Sequence, residues 1–182
     1  MVTEQAIPTK DELLEALRSS GQQLLERLRA LPAEEVGQGR YESGWNGRQI
    51  LAHVASIEWT YPRLLDLAQQ GTPLAPNAKP PEVRRTEPGE AGLPTRPPRG
   101  GIDDYNQRQV DKRAEASVAE LLAEFEKNRA ATIAAAESAD EALLRTPIRS
   151  AGGITGALGS VIYAVAVQHV LGHLSDILAE SS

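Results

Sequence analysis

Three histidines, His53, His169 and His173, are the residues whose type and spacing most clearly indicate chemistry. They are all the histidines in the chain, and each falls on a predicted helix and not in a polar loop. His169 and His173 are one helical turn apart, a spacing that places both rings on one side with their backbones about 6 Å apart. Imidazoles placed in this way can bind one metal ion together.

His53 is expected to reach the same place from the second helix. It shares an apolar stripe with Ile50 and Ile57, so its ring faces the interior of a helical bundle. It comes early in its helix, whereas His169 and His173 come late in theirs. At a rise of about 1.5 Å per residue, the three rings become level only if the two helices run antiparallel.

Buried histidines also have an ordinary structural role, which the spacing alone leaves open. A single inward histidine is more often hydrogen-bonded to a carbonyl or carboxylate than to a metal, and His-x-x-x-His occurs by chance in many helices. Three buried imidazoles without an acidic partner for each are costly unless a shared cation satisfies them. The pattern therefore favours a metal site with three neutral ligands and an open position.

Three further polar residues fall near this site on the helical pattern. Glu58 and Tyr61 are weak candidates for a catalytic group, Glu58 because it follows His53 on nearly the same helix face. The ordinary interpretation of Glu58 is a partly solvated carboxylate, and that of Tyr61 is core packing. Asp176 is spaced to hold the second ring nitrogen of His173, a common role for carboxylates beside metal ligands.

Composition and charge exclude several classes of function. The 182 residues include 19 basic and 25 acidic side chains, and the net charge of −6 disfavours nucleic acid and membrane surfaces as partners. Cysteine is absent, which excludes disulfides, thiolate ligands and a cysteine nucleophile. The N-terminus does not resemble a signal peptide, and the longest strongly apolar run, residues 161–167, is far shorter than a membrane span. We therefore expect a cytoplasmic protein.

Apolar periodicity predicts four main helical segments and no strand, which indicates an all-α four-helix bundle. Side chains that can cap helix N-termini mark where these segments begin: Thr9 with Glu12, Ser43 or Asn46, Ser117 with Glu120, and Thr155. Within the second segment, Pro62 lacks the amide that would bond to the carbonyl of Glu58. A bend is therefore expected in that helix.

Residues 72–101 interrupt the helical pattern between the second and third helices. They hold most of the 12 prolines and show no apolar periodicity, which predicts a long loop. A lid, a dimer arm and a disordered segment all remain open interpretations. Its arginines can bind carboxylates, although charged loop residues are usually only solvated: Arg84, Arg85, Arg96 and Arg99. The sequence otherwise predicts a single domain over residues 1–182.

Three segments resemble the DinB-like family, which includes the N-terminal metal-binding domain of mycothiol-dependent maleylpyruvate isomerase. The run SGWNGRQILAHV, from Ser43 to Val54, is similar to the tryptophan-to-histidine helix start of that family. The run DYN, at residues 104–106, is similar to its third helix, and QHVLGH, from Gln168 to His173, is similar to its closing histidine pair. The resemblance spans nearly the whole chain.

The resemblance implies a four-helix bundle that binds a divalent metal, commonly zinc or nickel, through His53, His169 and His173. It also implies that Asn106 lies near the site and that the protein forms a homodimer. Family members with an activity are transferases or isomerases that use low-molecular-weight thiols such as mycothiol or bacillithiol. This chemistry suits a chain without cysteine, so the expected function is a thiol-dependent S-transferase or isomerase acting on a small-molecule electrophile.

Two other functions stay open from the sequence. One is a non-catalytic metal-binding module of a stress response, which binds a small molecule without turnover. The other is a hydrolase in which the metal activates water. They differ in whether a general base stands next to the open coordination position.

Overall fold

The computed structural model of the chain describes residues 7–38, 44–71, 101–150 and 152–179. Most of these residues are helical, so the predicted all-α class is confirmed. The helices are α1 (Lys10–Arg29), α2 (Ala33–Val36), α3 (Gly47–Glu58), α4 (Thr60–Gln69), α5 (Gly101–Asp111), α6 (Val118–Ser138), α7 (Glu141–Leu144), α8 (Leu158–Ile162), a π-helical segment (Tyr163–Gln168) and α9 (His169–Ala179). Two short strands, β1 (Pro147–Arg149) and β2 (Thr155–Ala157), precede α8.

Capping boxes fix where three of the long helices begin. In each box the side chain of the cap residue accepts a hydrogen bond from the backbone N–H of the residue three positions later. The side chain of that later residue accepts a hydrogen bond from the backbone N–H of the cap residue. They are Thr9 with Glu12 before α1, Asn46 with Gln49 before α3, and Ser117 with Glu120 before α6. Ser43, the other candidate cap for α3, lies outside the described residues.

Four rods pack against one another: α1, the pair α3 and α4, α6, and the continuous run of α8, the π-helical segment and α9. One apolar cluster joins Tyr61 of α4 to Val161 of α8. Another joins Val54 of α3 to Val170 of α9. The C-terminal end of the second rod therefore packs against the N-terminal end of the last rod. The N-terminal end of the second rod packs against the C-terminal end of the last rod. These two rods therefore run antiparallel, as the histidine positions require.

The second rod is broken at Trp59, between α3 and α4. Pro62 falls in the first turn of α4, where a missing amide is tolerated. Where the sequence predicted one bent helix, the structure has two helices that meet at Trp59. The Glu58 carbonyl, which Pro62 cannot bond, accepts a hydrogen bond from the Thr132 hydroxyl of α6 at 3.4 Å.

A short antiparallel hairpin corrects two expectations from the sequence. Pro147 pairs with Ala157 and Arg149 with Thr155, so the prediction of no strand is wrong. Thr155 is part of β2 and does not cap the last rod, which begins at Leu158 without a side-chain cap. Strands of three residues are too short for alternating polarity to reveal them in the sequence.

The proline-rich loop lies almost wholly outside the described residues, which resume at Gly101. The choice between a lid, a dimer arm and a disordered segment therefore stays open, as do the roles of its arginines: Arg84, Arg85, Arg96 and Arg99. Gly101, assigned to the loop from the sequence, is instead the first residue of α5. The single domain over residues 1–182 remains a prediction.

The apolar stretch of the last rod is longer than the run of residues 161–167 recognised in the sequence. Among the described residues, only Leu158–Leu178 is long and apolar enough, by length and composition, to cross a membrane, with a mean hydropathy of 1.4. Its most apolar stretch is 39% buried inside the structure, where Val161 and Val170 belong to the core. Core packing accounts for the apolar character of these buried positions.

A buried ion pair between Glu58 and Arg129 joins several rods. The Arg129 side chain is 4% exposed and that of Glu58 is 0% exposed, with Nε of Arg129 2.7 Å from Oε1 of Glu58. The guanidinium also donates to the Leu17 carbonyl, the Ser20 hydroxyl and the Ala166 carbonyl. Burial raises the pKa of the Glu58 carboxyl, and the charge of Arg129 opposes that rise. Residues of α1, α3, α6 and the π-helical segment thus meet at one charged group.

We expect Glu58→Gln to destabilise the fold strongly. The amide keeps the shape of the side chain but leaves the Arg129 charge unpaired, and a guanidinium cannot lose its proton to relieve this. Breaking a buried pair lowers the free energy of unfolding by about 3–5 kcal/mol. Urea unfolding followed by circular dichroism measures the loss.

Glu137→Gln is the matched control, because it removes the same charge from the exposed pair of Glu137 with Arg18, whose side chains are each 50% exposed. Its free energy of unfolding should fall by less than about 1 kcal/mol. Equal losses in the two variants would contradict the role assigned to the buried pair.

Candidate metal centre

The rings of His53, His169 and His173 converge in the structure. The ring centroid of His53 lies 5.4 Å from that of His169 and 5.3 Å from that of His173, and those of His169 and His173 are 4.4 Å apart. One nitrogen from each ring can be chosen so that all three lie within 4.8 Å of one another. Within the described ranges, no other group of three or more histidine or carboxylate side chains converges in this way.

Two antiparallel rods bring the rings together. His53 lies on the buried face of α3, beside Ile50 and Val54, and is 5% exposed. His169 and His173 are the first and fifth residues of α9, which packs against α3. Both are partly buried. The positions predicted from helical spacing therefore meet at one end of the bundle.

Burial keeps the rings of His53 and His169 neutral near pH 7. It lowers the pKa of His53 to about 3, with further contributions from His169 and His173. It lowers the pKa of His169 to about 4, with His173 adding to the fall and the Val165 carbonyl and Asp176 opposing it. The Nδ1 atoms of His53 and His169 are buried and have no hydrogen-bond partner within the described part of the chain. Buried polar atoms of this kind require a partner, which a cation can supply.

Asp176 lies where the spacing predicts. Its Oδ2 is 3.1 Å from Nδ1 of His173, one turn earlier in α9. A carboxylate in this position fixes the ring orientation and favours the tautomer with the proton on Nδ1. Nε2 is then the nitrogen of His173 that remains for a cation.

Trp45 forms one wall of the site. Its ring lies 5.2 Å from the ring of His53 at 42°, and its Nε1 donates to Oε1 of Gln107 on α5 at 2.8 Å. Asn106, the residue before Gln107, is partly buried, and its Oδ1 has no hydrogen-bond partner among the described residues. No local pattern in the sequence predicts the contact between Trp45 and Gln107, because it joins residues from distant segments.

Glu58 and Tyr61 both bond to groups other than the histidine rings. Glu58 is fully buried and bound to Arg129, which corrects the expectation of a partly solvated carboxylate. The Tyr61 hydroxyl donates to the Val165 carbonyl at 2.7 Å. Burial and the nearby Glu58 raise the pKa of this hydroxyl, although Arg129 opposes the rise. It therefore stays protonated and acts as a hydrogen-bond donor.

Arg129 is the buried charged residue that the sequence reasoning missed. It lies on the apolar stripe of α6 between Phe125 and Ala136, with its guanidinium carbon 5.0 Å from the Phe125 ring centroid. A long cationic side chain on a buried stripe is a signal that helical periodicity could have revealed. Its pairing with Glu58 has no local signal, because the two residues lie on different helices.

Three neutral imidazoles are a ligand set that suits zinc, copper, iron or nickel. Such a set leaves the ion its full positive charge and at least one position open for a further ligand. The two orphaned Nδ1 atoms and the carboxylate on His173 fit this use of the site.

Comparisons with known proteins agree with the fold. The model of the DinB superfamily matches residues 16–177, a range that contains all three histidines. The crystal structure of the mycothiol-dependent maleylpyruvate isomerase is similar with a TM-score of 0.67 and 16% identity, over 93% of this chain and 61% of that chain. The structure of a histidine-to-alanine mutant of that isomerase gives a TM-score of 0.66 at the same identity and coverage. No curated protein matches the sequence significantly.

The described fold therefore corresponds to only part of those solved proteins, because the chain spans 61% of their length. An identity of 16% shows a shared fold and nothing finer. The histidine cluster is an observation on this chain alone and does not depend on the likeness.

We expect the metal-free protein to lose stability as the pH falls. The pKa of His53 is about 3 in the folded chain and 6.5 in a model compound, so the unfolded chain binds this proton more readily between those values. The stability that the neutral ring contributes is complete above pH 6.5 and is lost as the pH falls toward 3. For one histidine the slope is at most about 1.4 kcal/mol per pH unit.

Urea unfolding of the metal-free chain between about pH 7 and pH 5 measures this slope. The variant His53→Gln, which cannot titrate there, should show a shallower dependence on pH. Equal slopes in the two proteins would contradict a neutral, buried His53.

Proposed function

Because the chain belongs to the DinB superfamily, we propose that it is a metal-dependent enzyme that uses a low-molecular-weight thiol. Its substrate is a small electrophile, and its reaction is an S-transfer or an isomerisation. Zinc or nickel is the expected metal, bound by His53, His169 and His173. The proposal includes a cytoplasmic protein that forms a homodimer.

The observation that carries the proposal is the convergence of three imidazoles from distant parts of the chain. Their candidate ligand nitrogens lie within 4.8 Å of one another. The rings of His53 and His169 are held neutral by burial, which is the protonation state that binds a metal. A structural histidine would have its polar atoms satisfied by protein groups, whereas the Nδ1 atoms of these two have no such partner among the described residues.

The residues around the cluster have distinct roles in this proposal. Asp176 orients the ring of His173, and the indole of Trp45 packs against the ring of His53. The indole thereby limits the access of water to the most buried of the three rings. A divalent ion bound by the three histidines would lower the pKa of a thiol or water in its open position.

The absence of cysteine supports a thiol supplied from outside the chain. A protein without a thiol of its own can perform thiolate chemistry only on a bound cofactor. The similar solved structures are of a mycothiol-dependent isomerase, which supports mycothiol or bacillithiol as the first candidates. A metal-bound thiolate needs no separate general base, so the engagement of Glu58 and Tyr61 elsewhere is consistent with this chemistry.

The bonding of Glu58 to Arg129 and of Tyr61 to Val165 also bears on the two alternative functions, a hydrolase and a non-catalytic metal-binding module. A hydrolase that activates water needs a base beside the open position, and neither Glu58 nor Tyr61 offers one. A metal-binding module that captures a small molecule without turnover has no such requirement. The module is therefore the second candidate, and the hydrolase is less well supported by the described residues.

We expect the purified chain to bind about one equivalent of zinc or nickel, with His169→Ala weakening binding by more than the about 100-fold typical of residues that only support a ligand. Elemental analysis measures the metal content, and competition with a chelator measures the metal affinity. Gln168→Ala, a change in the exposed neighbouring residue, is the control and should leave the affinity unchanged. A metal content that is unaffected by His169→Ala would show that the ligand assignment is wrong.

Binding of a thiol should require the metal. Calorimetric titration of the zinc-loaded protein with mycothiol, bacillithiol or glutathione should give saturable heat with at least one of them, because a metal ion stabilises the bound thiolate. The metal-free protein and the oxidised disulfide form of each compound are the controls and should give none. If no thiol binds the loaded protein, the module becomes the better interpretation.

A further inference from the structure

The rod that carries His169 and His173 contains a π-helical segment immediately before them. The segment is Tyr163–Gln168, and the backbone N–H of His169 donates to the carbonyl of Ala164, five residues earlier. In an α-helix this N–H would bond to the Val165 carbonyl, four residues earlier. Turns of this kind accommodate an extra residue and are frequent at functional sites.

The extra residue sets the direction in which the histidines face. Each residue of an α-helix rotates by about 100°, so His173 would lie about 120° around a regular helix from Val161. Accommodating one residue in a π turn reduces this angle to about 20°. Val161 is a core residue at 1% exposure, so the π turn keeps the histidine pair on the inward face of the rod.

The hydroxyl of Tyr61 binds the carbonyl that the π turn leaves without its usual partner. It donates to Val165 at 2.7 Å, across the interface between α4 and the last rod. Tyr61 is 5% exposed, so its hydroxyl is largely shielded from water. The next carbonyl, that of Ala166, accepts from Arg129 at 2.6 Å. Two buried side chains from other helices therefore hold consecutive carbonyls of the π turn.

We propose that Tyr61 is a positioning residue for the metal centre, because its hydroxyl holds the π turn that directs His169 and His173 toward His53. This inference rests on the proposed metal site and assigns Tyr61 a function other than catalysis. Tyr61 acts through the backbone of Val165, four residues before His169 in the chain.

Tyr61 gives a cleaner test than Arg129. Arg129 also neutralises Glu58 and bonds to α1, so its replacement would disturb the whole fold. Tyr61→Phe removes one oxygen and retains the ring that packs in the core. Outer partners that orient metal ligands typically contribute 10- to 100-fold to metal affinity, so zinc binding to Tyr61→Phe should weaken by about 10- to 100-fold.

The measurement is zinc affinity by competition with a chelator, together with the visible spectrum of the cobalt-substituted protein. The cobalt bands should shift in Tyr61→Phe, because they report the ligand geometry and not the stability of the fold. Thr132→Val is the matched control. It also removes a buried hydroxyl that donates to backbone carbonyls, of Asn128 and Glu58, but it does not touch the π turn.

Deletion of Ala164 provides a second, independent test. Removing one residue from the π segment should leave a regular α-helix in which the histidines keep their direction and the Val165 carbonyl regains its usual amide partner. In that background the Val165 carbonyl no longer needs a hydrogen bond from Tyr61. Adding Tyr61→Phe to the deletion should therefore change zinc affinity by less than about twofold, compared with about 10- to 100-fold in the chain that retains Ala164.

The outcomes separate this inference from the function on which it rests. If the unchanged chain binds no zinc or cobalt, the metal site and the positioning role both fail. If it binds zinc and Tyr61→Phe binds equally tightly with the same cobalt spectrum, only the positioning role fails. Equal losses in Tyr61→Phe and Thr132→Val would also overturn it, because the effect would then belong to the core in general. A loss from Tyr61→Phe that is the same with and without Ala164 would overturn it as well. Should Tyr61→Phe not fold in the chain that retains Ala164, the deletion background decides alone: a loss of about 10-fold or more there would overturn the positioning role.

Discussion

The buried charge of Arg129 is the constraint around which this bundle is organised. A guanidinium cannot become neutral, so an interior that contains one must supply acceptors for its donors. Here they come from Glu58 of α3, from Leu17 and Ser20 of α1 and from Ala166 of the π-helical segment. Space for the side chain depends on Gly21 of α1, where an added Cβ would lie 3.1 Å from Cγ of Arg129. The lack of a side chain at Gly21 thus allows α1 to pack closely against the Arg129 side chain.

The same arrangement links the core to the histidine cluster. Arg129 and Tyr61 bind neighbouring carbonyls of the π turn, and His169 begins the next turn. An interaction in the middle of the bundle therefore controls the direction of side chains at its end. Rigid helices transmit this control because a rotation at one turn rotates every residue that follows. The polar network consequently has a role in specifying one geometry, beyond any contribution to stability.

Local patterns in the sequence predicted a large part of this structure. Capping boxes located the starts of α1 and α6, Pro62 predicted the interruption of the second rod, and helical spacing placed His169 and His173 on one face. Each of these signals depends on residues close together in the chain. The apolar stripe of α3 likewise predicted that His53 faces the interior. The resemblance to the DinB-like family agrees with the match over residues 16–177.

The features that were missed depend on contacts between distant residues. The hairpin of β1 and β2 is only three residue pairs long, and the partner of Glu58 is 71 positions away along the chain. The π turn has no sequence signature, because its carbonyls are satisfied by side chains from other helices. Only the packed structure shows that these partners exist.

In the proposed metal site, metal binding and folding would be coupled. His53 and His169 are neutral and buried with unsatisfied Nδ1 atoms among the described residues, which is unfavourable for the metal-free protein. A cation that binds only the folded chain adds a stabilisation that grows with its concentration relative to its dissociation constant. The unfavourable site is tolerated without metal because the Arg129 network holds the rods in place independently. The proposed ligand cluster can therefore form in the folded chain before any metal binds.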